Sequence, residues 1–288
     1  MGRILLLAAV LLLLLWLLRG RVWGRGRRGG DASADADSGG DSASAAGSAA
    51  LPRDRRVLLQ ARVRLWRALP PGLQDRLLPR IEEFLARVPF IGAGGFTVTE
   101  DMRTIIAAQA CLVTLGGEDA GFEALHGITL HPDEFVVEEA DEDEETGVVT
   151  EGWRTLSGQS VDGERIVLSW RDVEEAEHRD DGYNVVIHEF THFLEQTRPG
   201  GDPAAHKALE AAHEELCDAV DRGDETLLDP YGAEDLTEFL AVAAEMFFSR
   251  PSDLRTHHPS LYEILRVSFA LDPASWPGDT SADADHSL

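Results

Sequence analysis

The 288-residue sequence predicts an α+β fold, mostly helical with a small mixed sheet. Three observations carry this. Apolar residues recur at helical spacing through several long stretches, among them Leu73, Leu77, Leu78, Ile81, Phe84 and Leu85. A few short segments are rich instead in β-branched and aromatic residues, the clearest being Ile166-Val167-Leu168-Ser169-Trp170. Apolar residues make up 43% of the chain, ample for a core in one large domain or two small ones.

Residues 1–28 stand apart. Ile4 to Leu18 is an unbroken apolar run, short of the roughly 20 residues a helical span needs. Val22 and Trp23 extend it if Arg19 and Arg21 snorkel to the interface. Five arginines follow the run and only Arg3 precedes it. The positive-inside rule then predicts a single-pass inner-membrane anchor with the rest of the chain in the cytoplasm. A signal-peptide core is the second use of such a run, although no small-residue cleavage site follows. A misassigned start codon, leaving a cytoplasmic protein, is the third. Residues 29–50 are mostly Gly, Ser, Ala and Asp and predict a disordered linker, since they cannot bury enough apolar surface to offset chain entropy. A domain over residues 51–275 and a flexible tail over 276–288 complete the expected organisation.

Leu51 to Val88 reads as helix broken at Pro70-Pro71, and Pro89 to Gly95 as a turn. Thr99 is a predicted N-cap, with Glu100 and Asp101 in the first turn where the helix dipole favours acids. Met102 to Leu115 follows as a core helix closed by Gly116-Gly117. Gly127 to Leu130 and Glu134 to Val137 are predicted strands. Glu138 to Glu145 is an acidic run without the ligand spacing of a calcium loop, and reads as a solvated loop. Ser157 to Gly163 is a predicted loop. Ile166 to Trp170 is a predicted strand, either simply central or lining a cleft. Asp172 to Asp181 reads as a charged connector. Further helices are predicted over about Gly182 to Thr197, Ala204 to Val220, Leu236 to Phe248 and Leu261 to Phe269.

Acidic residues number 52 against 26 basic ones, for a formal charge of −26. That balance predicts no nucleic-acid partner, because phosphate binding needs positive surface. Cys111 and Cys217 sit in apolar, helix-like contexts and read as core thiols rather than a disulfide framework.

The chemistry concentrates in Val185-Val186-Ile187-His188-Glu189-Phe190-Thr191-His192-Phe193-Leu194. This is His-Glu-x-x-His within an apolar run free of Gly and Pro. Residues four apart share one face of a helix, so His188 and His192 can offer two imidazoles to one metal ion. Zinc takes nitrogen ligands of this kind, and Glu189 stands where a carboxylate can accept a proton from a water at the ion. The pattern is that of a zinc peptidase. Two incidental histidines on a buried helix are the alternative, although buried polar groups of this number need partners.

A third ligand must come from elsewhere. A glycine and then a histidine further along the same stretch would supply one, but Glu195 and Arg198 occupy those positions. Glu214 and Asp218 have a usable spacing on a densely charged helix, where a solvated face explains them as well. Glu238 is the better candidate, because it opens the apolar run Glu238-Phe239-Leu240-Ala241-Val242-Ala243-Ala244-Glu245-Met246-Phe247-Phe248 and faces burial. Glu245 reads equally as the partner of a ligating histidine or as a helix-end salt bridge.

The stretch Asp229-Pro230-Tyr231-Gly232-Ala233-Glu234-Asp235-Leu236-Thr237-Glu238-Phe239-Leu240-Ala241-Val242 resembles the Mlc titration factor A family of zinc peptidases. So do Gly182 to His192, Ile105 to Cys111, Gly158-Gln159-Ser160 and Ile166 to Trp170, and the resemblance runs roughly from Leu58 to Asp272. It implies a zincin-like domain similar to the catalytic domain of anthrax lethal factor. It implies one zinc ion held by His188, His192 and Glu238, with Glu189 as catalytic base and Tyr231 as an active-site tyrosine. It implies a peptide substrate, with aminopeptidase-like cleavage and a link to the regulation of sugar uptake. A transcriptional repressor is a further implied partner, which allows a second expectation: a tethered binding module with little peptidase activity.

Overall fold

The N-terminal helices are cut where proline dictates. Helices α1 (Pro52–Arg62) and α2 (Arg64–Ala68) are followed by Pro70, and Pro71 takes the first position of α3 (Pro71–Arg87), where a missing N–H is harmless. A further break falls at Val63, whose extended backbone separates α1 from α2. The computed structural model describes residues 52–117, 121–142, 149–156, 158–161, 164–197 and 203–277. Strand β1 (Phe90–Gly92) leads through a 3-10 turn (Ala93–Gly95) to α4 (Glu100–Val113). Thr99 caps α4 as expected, its hydroxyl accepting the Met102 N–H at 3.2 Å.

Then come β2 (Gly127–His131), β3 (Phe135–Glu142), β4 (Val149–Leu156), β5 (Gly158–Val161) and β6 (Arg165–Ser169). The main sheet runs β1-β2-β6-β5, with β1, β2 and β6 parallel and β5 antiparallel to β6. Ile128 pairs in register with Ile166 and Leu130 with Leu168, and all four are fully buried. That period-two burial fixes the register, since a one-residue slip would turn all four away from the core. Strands β3 and β4 form a separate antiparallel hairpin.

The second half is helical: α5 (Trp170–Ala176), α6 (Val185–Thr197), α7 (Pro203–Arg222), a 3-10 turn (Pro230–Ala233), α8 (Leu236–Ser249), α9 (Pro251–His257) and α10 (Pro259–Phe269). Phe84 of α3, Phe122, and Phe190 and Phe193 of α6 form an aromatic cluster, with Phe122 edge-on to Phe84 at 5.1 Å and to Phe190 at 5.5 Å. Such pairs add about 0.5–1.5 kcal/mol each to the area they bury. Helix α6 packs against both α4 and α8 within the hydrophobic core. Gly182 enters α6 with φ +102°, and a Cβ there would stand 2.2 Å from Met246 Sδ of α8, so the approach of α6 to α8 requires glycine.

The architecture is α+β and mostly helical, as the sequence predicts. Several expectations need correction. The acidic run expected as a loop from Glu138 continues β3 as far as Glu142, because strand pairing is made by the backbone and acidic side chains do not forbid it. Gly158–Val161, expected within a loop, is β5, an edge of the sheet among the described residues. The charged connector contains α5, capped by Ser169 and anchored by buried Val173 and Ala176. Trp276, expected to open a loose tail, is buried. The single-pass inner-membrane anchor is likewise corrected: no helix among the described residues is long and apolar enough to cross a membrane. Residues 1–28 of the expected anchor and 29–50 of the expected linker lie outside the described residues.

Candidate metal centre

Helix α6 starts where Asn184 stops the preceding turn. Its side-chain oxygen accepts the Ile187 N–H at 3.0 Å and its carbonyl accepts the His188 N–H at 3.0 Å, which is N-cap geometry. The helix buries Val185, Val186, Ile187, Phe190 and Phe193 on its core side. That fixes the opposite face and stacks His188 and His192 one turn apart, with ring centroids 4.7 Å from each other.

Helix α8 supplies the rest. Asp235 caps it, its carboxylate accepting the N–H groups of Thr237 and Glu238. Glu238 therefore stands in a fixed first turn. His188 Nε2 lies 3.0 Å from Glu238 Oε2 and 3.0 Å from His192 Nε2, and His192 Nε2 lies 3.3 Å from the same Glu238 oxygen. Among the described residues this is the one group of three or more His, Cys, Asp or Glu side chains whose donor atoms converge, all within 4.8 Å. The three side chains are largely buried, at 12%, 10% and 19% exposure.

The donor set fits a zinc ion. Two imidazole nitrogens and one carboxylate oxygen are the ligand types of catalytic zinc, and ligands about 2.0–2.2 Å from a tetrahedral ion stand roughly 3.4 Å from one another. The observed 3.0–3.3 Å needs an opening of a few tenths of an ångström.

Behind His188 lies Glu245, two turns after Glu238. Its Oε1 meets His188 Nδ1 at 2.7 Å, and its Oε2 accepts the Asn184 N–H. Of the two readings left open for Glu245, the structure favours the first, placing it on His188. Asn184 in turn donates from Nδ2 to Gln109 Oε1 at 2.7 Å.

The electrostatics follow from this packing. Burial alone would lower the His188 pKa, but the carboxylates of Glu238 and Glu245 overcome it and push the imidazole up to about 10. Burial also acts to raise Glu238, yet hydrogen bonds from both histidines hold it well below the usual carboxylate range. The pocket is thus built to hold positive charge, whether a proton or a metal cation. Glu189 points the other way: burial pushes its carboxyl up to about 7, and its Oε2 is a buried atom without a hydrogen-bond partner.

Tyr231 sits on the 3-10 turn before α8, its ring centroid 6.1 Å from that of His188. The structure thus gathers His188, His192 and Glu238, with Glu189 and Tyr231 beside them. It leaves Glu214 and Asp218 exposed on α7, outside the group. Sequence reasoning assigned no role to Asn184 or Gln109. The available signal was Gln109 itself, an amide inside the apolar run Ile105 to Cys111.

Comparison with known proteins gives a consistent picture. The family described as glucose-regulated metallo-peptidase M90 matches residues 41–270. An uncharacterised protein of Synechocystis sp. is 30% identical over 241 residues, covering 77% of this chain and 86% of its own length. Mlc titration factor A of Serratia proteamaculans is 34% identical over 216 residues, covering 69% of this chain and 80% of its own. The protein of the same name from Pectobacterium atrosepticum is 31% identical over 214 residues, 69% and 79%.

Proposed function

The chain belongs to the glucose-regulated metallo-peptidase M90 family, and from that premise we propose that it is a zinc-dependent peptidase with a zincin-like active site. The observation that carries this reading is the convergence of His188, His192 and Glu238 beside a buried carboxyl, Glu189, with an unpartnered oxygen. When bound, zinc supplies Lewis acidity, acidifying a water at the site and polarising the scissile carbonyl.

The remaining roles belong to the chain. Glu189 accepts the proton of the attacking water and passes it to the leaving amine; a carboxyl near pH 7 in its proton affinity suits both transfers. Tyr231 donates its hydroxyl proton toward the oxyanion that forms as the carbonyl is attacked. Glu245 keeps the proton of His188 on Nδ1, leaving Nε2 as the ligand. Strand β5 packs against α6 and is an edge of the main sheet among the described residues, so it offers backbone groups to an extended peptide; of the two readings of β6, central or lining a cleft, its interior place in the sheet supports the central one.

The test is zinc content and peptide hydrolysis in wild type, Glu189→Gln, Glu238→Ala and Glu214→Ala. The reading expects one zinc per chain, lost in Glu238→Ala alone, with hydrolysis lost in Glu189→Gln despite retained metal. Full hydrolysis by Glu189→Gln would remove the base assignment. Blocking the amino terminus of a cleaved peptide tests the aminopeptidase-like mode, which requires that cleavage stop.

A second reading rests on the name of the relatives, Mlc titration factor A. In it the chain sequesters a transcriptional repressor and cleaves little. Repressor binding that is unchanged in Glu238→Ala, together with no peptidase activity in the wild type, would favour this reading.

A further inference from the structure

The carboxylate that holds His188 is itself held, through an element that supplies no metal ligand. Glu245 Oε2 accepts the backbone N–H of Asn184. The side chain of Asn184 reaches in two directions: Oδ1 accepts the Ile187 N–H at 3.0 Å, and Nδ2 donates to Gln109 Oε1 of α4 at 2.7 Å. A backbone N–H can only donate, so Ile187 fixes Oδ1 as the acceptor. The Asn184 atom facing Gln109 is then its NH2 group, and Gln109 must present its carbonyl oxygen. That one backbone donor sets the polarity between Asn184 and Gln109, while the Asn184 N–H and the Glu245 carboxylate set the rest of the path to His188.

Gln109 is an expensive residue to keep where it is. Residues Thr104 to Val113 are all buried, and Gln109 is 1% exposed. Its Nε2 has no hydrogen-bond partner, and a buried unsatisfied donor destabilises by about 1–3 kcal/mol. An apolar side chain would avoid that loss. What only Gln109 provides is the acceptor for Asn184, and Asn184 is 3% exposed, beyond the reach of competing bulk water.

We propose that Gln109 and Asn184 are positioning residues of the metal centre: they fix the turn before α6 so that the Asn184 N–H orients Glu245, and Glu245 then presents His188 Nε2 to the ion. This rests on the metal-site reading above. Two features distinguish it from plain packing. The link runs from a helix without ligands to a ligand, and it works through one serial contact rather than through volume.

The test uses the full chain with Gln109→Met, which keeps volume and removes the acceptor, with Asn184→Ser, which keeps a capping oxygen for Ile187 but cannot reach Gln109, and with both together. Zinc affinity is measured by competition with a chromophoric chelator. Cobalt(II) absorption reports ligand geometry, and the melting temperature of the chelated protein controls for folding. Each single variant should bind zinc about 10–100-fold more weakly, in the range typical of residues that orient ligands, with an altered cobalt spectrum. The double variant should bind no more weakly than the weaker single, because both changes cut the same link. Wild-type affinity and spectrum in Gln109→Met, or losses that add in the double variant, would overturn the proposal. If Asn184→Ser fails to fold, affinity and spectrum in Gln109→Met decide it alone. A wild type that binds neither zinc nor cobalt would overturn the metal centre itself, an outcome separable from variants that bind as the wild type does.

Discussion

Glu189 yields a prediction in which stability and turnover move in opposite directions. Glu189 is 5% exposed, and burial raises the pKa of its carboxyl from 4.5 to about 7. A group with a folded pKa above its unfolded value holds its proton more tightly in the folded chain. The stability it allows is therefore fully present below about pH 4.5 and is lost as pH rises through about 7, where the folded chain must carry a buried charge that the unfolded chain carries in water. At 1.36 kcal/mol per pH unit, the rise to about 7 amounts to ~3 kcal/mol. Glu189→Gln keeps the shape and removes the charge. In chelated protein it should be more stable than the wild type by up to ~3 kcal/mol at pH 8, and the margin should shrink toward zero by pH 5. Urea unfolding followed by far-ultraviolet circular dichroism, at pH 5, 6.5 and 8, measures this, since the other titrating groups are common to both chains. The same variant, loaded with zinc, should lose turnover by about 100–10,000-fold. A margin that does not change with pH, or a wild type more stable than the variant at pH 8, would refute the reasoning that burial penalises this carboxylate.

Three other outcomes follow from geometry already described. Tyr231→Phe should lower turnover by about 10–1,000-fold with zinc content unchanged; unchanged turnover would return Tyr231 to packing beside His188. Asp235→Ala removes the acceptor for the Thr237 and Glu238 N–H groups, so it should lower stability by about 1 kcal/mol and weaken zinc binding as well, both readable by thermal melts and chelator competition. Gly182→Ala places a Cβ against Met246 Sδ at a φ that side chains rarely adopt; a loss of about 2–4 kcal/mol in denaturant unfolding is expected.

Legibility from sequence followed the physics of each part. The helix of the candidate metal centre was readable because His188 and His192 stand four residues apart inside an apolar run free of Gly and Pro. Glu238 was readable as a carboxylate opening a run that is otherwise buried, which needs a partner wherever it occurs. Its rival, Glu214, could be set aside only when three dimensions showed α7 turning it to solvent. Strand β5 was missed because Gly158-Gln159-Ser160 carries no apolar alternation; its pairing with β6 is a backbone affair. The continuation of β3 through acidic residues was missed for the same reason. Helix α5 is seven residues long, too short for periodicity to register, and its start depends on one hydroxyl, that of Ser169, accepting from Asp172. Asn184 and Gln109 lie 75 residues apart in sequence, and no local pattern connects them.

Glu238 and Glu245 are seven residues apart on α8, about 10.5 Å along its axis, and they close on opposite nitrogens of the same imidazole. One helix thus grips one ring from both sides, as a vice does. The gap of the vice is set by a count of residues, so it cannot be adjusted gradually. Inserting or deleting one residue between Glu238 and Glu245 would swing one carboxylate by about 100° around α8 and release the ring. Sliding α8 by a full turn along α6 would bring neither acid back to its nitrogen. The segment from Glu238 to Glu245 therefore cannot absorb a change of length, and a length scan through α8 would find an abrupt edge there rather than a slope.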